Sequence, residues 1–188
     1  LGGAFRIAAQ APTRHGMADI LDWLEREVYS LGVTVKLSTY MQLEDIFVEQ
    51  PDKVILATGS LPRMDGIQVS NPGEPIQGFE NPRVVSSNDL FLKGLKPDAR
   101  CAVVIDDLGH YEAVGVAEHL IKSGLAVEYV TRHSAFAPMM DPAHMVEPAL
   151  ARLSRGNFTV HTRTRAVAID DEGVTVAPTF AYMSPSNA

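Results

Sequence analysis

The sequence lacks a second cysteine: Cys101 stands alone, so no internal disulfide can form. A reducing, cytoplasmic setting is the expectation, with Cys101, at the head of an apolar run, as a quiet core residue. Basic charge is also scarce. The 16 Lys and Arg against 23 Asp and Glu leave a net charge of −7, with no basic cluster visible. That argues against nucleic-acid binding, which needs a clustered basic surface. No apolar stretch approaches the roughly 20 residues of a membrane helix. Six histidines are present, but none has metal-ligand spacing, and there is no HExxH and no cysteine pair. The absence of G-x-S-x-G leaves hydrolase chemistry unsupported, and no catalytic residue is assigned. An initial Met is missing too. The chain opens Leu1-Gly2-Gly3-Ala4-Phe5 and closes on the polar Ser184-Pro185-Ser186-Asn187-Ala188, so both ends read as cuts in a longer polypeptide.

What is present follows α/β grammar. Met17, Ile20, Leu21, Leu24, Val28 and Leu31 repeat at three- and four-residue spacing, which predicts a helix over 17–31 stopped by Gly32. Val33–Leu37 alternates as a strand does, and a short helix is expected around Leu43–Glu49. Lys53–Gly59 is a continuous apolar run that suits a strand buried on both faces. A Pro- and Gly-rich crossover fills 60–82, then a short strand at Arg83–Val85 and a capped helix from Ser87 to about Leu92 are expected. Cys101–Ile105, a tight turn, Tyr111–Ser123 and Ala126–Val130 compose strand, turn, helix and strand at the length of half a Rossmann unit. These two strands should be parallel neighbours. Residues 143–155 read as a helix, and 165–169 with 174–176 as a hairpin around Asp170–Gly173.

In a dinucleotide-binding unit the loop after the first strand carries G-x-G-x-x-G, because glycines let the ligand backbone approach a helix N-terminus. Here the three glycine positions hold Asp106, Leu108 and Tyr111; Gly109 remains, off register. Two carboxylates beside a pyrophosphate are unfavourable. One like-charge pair at about 4 Å and an effective dielectric near 20 costs about 4 kcal/mol, against about 0.3–1 kcal/mol returned by the helix dipole. The expectation is a loop closed by its own side chains, Leu108 and Tyr111 filling the groove. At the end of the second strand stand Thr131-Arg132-His133, with no acid to read a ribose hydroxyl. That excludes a conventional NAD reading and leaves Arg132 either as an NADP contact or as a solvated strand end. Gly2 and Gly3 would admit a nucleotide or simply make a turn.

The order Gly2-Gly3, helix, strand, Val54-Ile55-Leu56-Ala57-Thr58-Gly59, Pro-rich crossover, Ser87-Asn88-Asp89-Leu90 and Rossmann unit resembles one family. It is the C-terminal FAD/NAD(P)-binding region of the old yellow enzyme (NADH:flavin oxidoreductase) superfamily, in the branch of trimethylamine, dimethylamine and histamine dehydrogenases and 2,4-dienoyl-CoA reductase. The resemblance covers essentially the whole chain, and Ala57-Thr58-Gly59 is its most specific element. It implies an α/β fold: a Rossmann-like region with a parallel sheet over 81–177, part of a second flavin-type dinucleotide domain over 1–80, and a polar segment over 178–188. It implies that Gly2, Gly3, Ala57, Thr58 and Gly59 border FAD or ADP, and that Gly109 and Arg132 belong to the NAD(P)-type unit. FMN and a four-iron cluster would sit elsewhere in the parent, and the chain alone would carry no cofactor. The parent would oxidise a small N-methylated or other amine and pass electrons to an external carrier. The alternatives are an NADPH-binding domain of a dienoyl-CoA-reductase-like enzyme and a non-catalytic docking domain. Expected partners are the remainder of the parent chain, an electron-transfer protein and a second copy.

Overall fold

The computed structural model describes residues 1–95 and 98–181. Its centre is a three-stranded parallel sheet in the order β1 (Cys101–Asp106), β2 (Ala126–Thr131), β3 (Phe158–His161). Cys101 pairs with Ala126 and the register runs without a slip to Asp106 opposite Thr131. The expected parallel neighbours are therefore observed. Between them runs α5 (Tyr111–Lys122), whose start is capped by His110. Its end is fixed by Gly124, at φ +86°, with the Gly124 amide donating to Ile121 O and the Leu125 amide to Leu120 O. This pair of bonds is the Schellman ending, which needs a left-handed residue. Gly32 ends α2 (Met17–Ser30) in the same way, through Gly32 to Tyr29 O and Val33 to Val28 O.

The core lies between the sheet and its helices. Val127, Tyr129, Met140, Ala149 and Leu153 are almost wholly buried there. Tyr129, Phe136 and Phe158 meet edge to face with centroids 4.9–6.0 Å apart, the arrangement ring quadrupoles favour. After β2 the chain makes a 3-10 turn at Pro138–Ala143, then α6 (Val146–Leu153). The helix expected over 143–155 is thus shortened to Val146–Leu153 and preceded by the 3-10 turn. His144, at φ +54°, separates it from the α-helix. The hairpin is present as antiparallel β4 (Thr164–Ile169) and β5 (Val174–Pro178), with a bulge between Ala166 and Ala168.

Parts of the first eighty residues pack on this unit without extending its sheet. α1 (Gly3–Ala8) touches α2 and α4 (Ser87–Lys93), and Ala11 packs under Gly115 of α5. Gln68, buried, bonds both backbone groups of Ala166: Nε2 donates to its O at 2.8 Å and Oε1 accepts its N–H at 3.0 Å. Nearby the Gln77 amide donates to Val167 O and its carbonyl accepts the Ile169 amide, and a Cβ at Gly78 would collide with Ile169 O.

Four expectations are corrected. Residues 33–37, 53–59 and 83–85 form no strand. The apolar run Val54-Ile55-Leu56 is 53%, 88% and 81% exposed. A strand buried on both faces needs flanking strands and covering helices, and the described residues supply neither. Cys101 is exposed, because β1 begins at the open end of the sheet rather than in its core. The helix at 43–49 is α3 (Leu43–Glu49). The polar terminal segment from Tyr182 onward lies outside the described residues.

Candidate functional site

The turn joining β1 to α5 is built around one buried carboxylate. Asp106, 3% exposed, ends β1. Its Oδ1 accepts the Leu108 and Gly109 amides at 3.1 and 2.8 Å, and its Oδ2 accepts the Thr131 hydroxyl at 3.1 Å. Short Asp side chains favour turns through such local bonds. Here the parallel register adds the third donor by setting Thr131 opposite. Thr131 Oγ1 in turn accepts the His133 amide at 3.3 Å.

Asp107 points elsewhere. Its Oδ2 accepts the Val69 amide at 2.6 Å, and its backbone O accepts Arg132 Nε at 2.9 Å. Arg132 Nε also lies 3.4 Å from Asp107 Oδ1. Gly109, at φ +69°, is sealed by the segment after β2. A Cβ there would stand 2.8 Å from Pro138 Cδ and 3.0 Å from His133 ring atoms. The Met139 amide donates to Gly109 O at 3.0 Å. His110 Nδ1 accepts the Tyr111 amide, and Arg14 lies over the Tyr111 ring at 3.9 Å. Leu108 is 62% exposed, so it does not fill the groove as expected. Pro138 and His133 do. The closure is achieved by different residues because Gly109, with no side chain, lets that segment approach.

Among the described residues, three buried polar atoms have no hydrogen-bond partner: Tyr129 Oη, His133 Nε2 and Ser70 Oγ. Burial first, then the Asp106 charge, raises the Tyr129 phenol far above its ordinary pKa; the hydroxyl is near that carboxylate without a well-directed bond to it.

The other sequence-assigned residues lie apart from this loop. Gly2, at φ +102°, caps α1 and lines an apolar cavity of about 260 Å³ with Leu21, Leu24, Val28 and Val35. A Cβ on Gly2 would press Leu21 at 3.0 Å, whereas Gly3 faces open space. Ala57, Thr58 and Gly59 are exposed, and none of them lines that cavity. Gly109 and Arg132 are brought together, with Asp107 between them. Sequence reasoning missed Thr131, Pro138 and Gln68. The equal lengths of the two strands would have put Thr131 opposite Asp106. The approach of Pro138 and the reach of Gln68 leave no local signal. No group of three or more His, Cys, Asp or Glu able to hold a metal occurs among the described residues.

Comparison with known proteins adds lineage. No family model matches the chain. It is 33% identical over 172 residues to the probable N-methylproline demethylase of Rhizobium meliloti, covering 92% of this chain and 24% of that protein. It is 30% identical over 135 residues to the N,N-dimethylglycine/sarcosine dehydrogenase of Chromohalobacter salexigens, covering 70% and 18%. In fold it superposes on the 6-hydroxypseudooxynicotine amine oxidase of Pseudomonas geniculata N1, with a TM-score of 0.85, 24% identity and 95% and 26% coverage. It also superposes on histamine dehydrogenase of Rhizobium sp. 4-9, at 0.74, 19%, 96% and 28%. The chain belongs to the trimethylamine and histamine dehydrogenase branch of the old yellow enzyme superfamily. It spans no more than about a quarter of the length of these curated relatives. Against members of the branch, the matched fold includes both the β1–α5–β2 unit and the first eighty residues, since coverage reaches 95% and 96%.

Proposed function

We propose that the whole protein is a flavin-dependent oxidoreductase acting on a small N-methylated amine, and that this chain is its dinucleotide-type region. The carrying observation is the 33% identity, over 92% of the chain, to a named N-methylproline demethylase. The similarity to a dimethylglycine/sarcosine dehydrogenase points to the same substrate class. The parent would hold FMN and a four-iron cluster outside this chain, because one exposed cysteine cannot ligate a cluster. FAD or ADP would border Gly2, Gly3 and Ala57–Gly59, but the residues present do not make that site alone. The cavity at Gly2, about 260 Å³, is below the roughly 300–1,000 Å³ of ligand pockets and has an almost wholly apolar lining. No reaction step is therefore assigned to this chain.

The described surface favours the remainder of the same polypeptide as its partner. Leu31, Tyr40, Val48, Ile55, Leu56 and Leu61 are 76–90% exposed. Large apolar side chains left this exposed are available to an interaction surface. The electron acceptor would be a separate electron-transfer protein. No helix of the described residues is long and apolar enough to cross a membrane.

The test is to produce the polypeptide at the length of its relatives and follow dye reduction with N-methylproline, dimethylglycine, sarcosine and histamine. Amine-dependent reduction without NADPH is the expected result. Turnover that requires NADPH and ignores amines would instead favour the dienoyl-CoA-reductase-like reading. Neither activity would leave the docking-domain reading standing.

A further inference from the structure

We infer that the β1–α5 loop is a self-ligated anion loop, in which Asp106 takes the two amides that a phosphate would need and the Pro138–Met139 segment bars the approach. The inference does not depend on which amine the parent oxidises.

Two independent observations carry it. The first is the donor set. Leu108 and Gly109 present their amides at the mouth of α5, where backbone N–H groups and the helix dipole attract anions. Both amides already bond Asp106 Oδ1, and the Thr131 hydroxyl bonds Oδ2. The carboxylate is 3% exposed, so it holds this place in the absence of solvent competition. The second is steric. Gly109, next to the second glycine position of the fingerprint, is covered by Pro138 and His133, and its carbonyl is bound by the Met139 amide. The strand-end arginine that would select a 2′-phosphate is consumed as well: Arg132 is held to Asp107 through the backbone O and faces its carboxylate. Asp107 is itself anchored by Val69 from the crossover. The loop therefore repeats, with its own side chains, the contacts of a phosphate-bound loop, and the second lobe stays closed with no nucleotide.

The experiment uses amide resonances of Leu108 and Gly109 in the 188-residue chain, with NADPH, NADH, ADP and inorganic phosphate as probes. In the unaltered chain none of the four should shift these resonances at millimolar concentration. In Asp106→Ala the two amides should lose hydrogen-exchange protection by about tenfold or more, the scale of one net hydrogen bond. Asp106→Asn, which keeps an acceptor oxygen, should retain most of that protection. Saturable shifts with NADPH in the unaltered chain would overturn the inference, and so would unchanged exchange in Asp106→Ala. If Asp106→Ala unfolds the sheet, Asp106→Asn decides alone. Protection kept at Leu108 and Gly109 supports the self-ligated loop, and protection lost there while β1 and β2 stay protected refutes it.

Discussion

Arg152 of α6 donates through Nη2 and Nε to a single oxygen, Oε1 of Glu118 on α5, at 2.6 and 2.9 Å. The Glu118 side chain is 5% exposed and that of Arg152 is 30% exposed. The pair ties the two helices that cover the sheet. Removing the arginine leaves a carboxylate buried without its counter-charge. Arg152→Met should cost about 1.5–3 kcal/mol, the range for bonds to charged groups, since Arg152 is partly solvated. The double variant Glu118→Gln/Arg152→Met should recover part of that loss. Urea midpoints of the three proteins measure it, and equal loss in single and double variants would refute the account.

Gln68 has no apolar role in its buried position; it satisfies both backbone groups of Ala166. Gln68→Ala should destabilise by about 2 kcal/mol or more, because two buried polar groups lose partners. Hydrogen exchange at Ala166 should accelerate with it. A wild-type exchange rate at that amide would contradict the clamp.

Gly78 and Gly124 separate two costs of a side chain. Both sit at positive φ, +74° and +86°, but only at Gly78 does a Cβ meet the Ile169 carbonyl. Gly124→Ala should cost about 1–2 kcal/mol of backbone strain. Gly78→Ala should cost clearly more, since Ile169 must move and its bond to Gln77 with it. Thermal midpoints of the two variants compare them directly, and equal shifts would show that the contact relaxes freely.

His119 gives a pH dependence. Burial first, then Lys122, lowers its pKa from 6.5, so the folded chain favours the neutral ring that packs against Phe91 at 5.2 Å. The unfolded chain binds the proton more readily. Stability therefore rises with pH up to the unfolded pKa near 6.5 and falls as pH drops below it. His119→Gln should flatten that part of the profile, and an unchanged slope would place the effect elsewhere.

These dependences were unequally legible beforehand. The β1–α5–β2 unit was readable because each of its signals is local: an apolar run, a periodic face and a stop at Gly124. Gly32 likewise announced the end of α2. The run at Val54–Leu56 was readable as β-prone but not as unpaired, because pairing depends on what lies beside it rather than on its composition. The loss of the glycine pattern at Asp106, Leu108 and Tyr111 marked the loop, and Asp107 with Arg132 was a foreseeable pair. That Leu108 turns outward and Pro138 turns inward was not readable. The first depends on φ +69° at Gly109, the second on a contact made by the far side of β2.

The Gln68–Ala166 clamp joins residues 98 positions apart, whereas Asp106 and Thr131 are separated by 25. Closing the longer loop costs about 1 kcal/mol more chain entropy than closing the shorter one. The carboxylate-centred turn can thus assemble as soon as residue 131 is available. The clamp to the crossover is the more entropically costly of the two closures, and the carboxylate-centred turn does not depend on it.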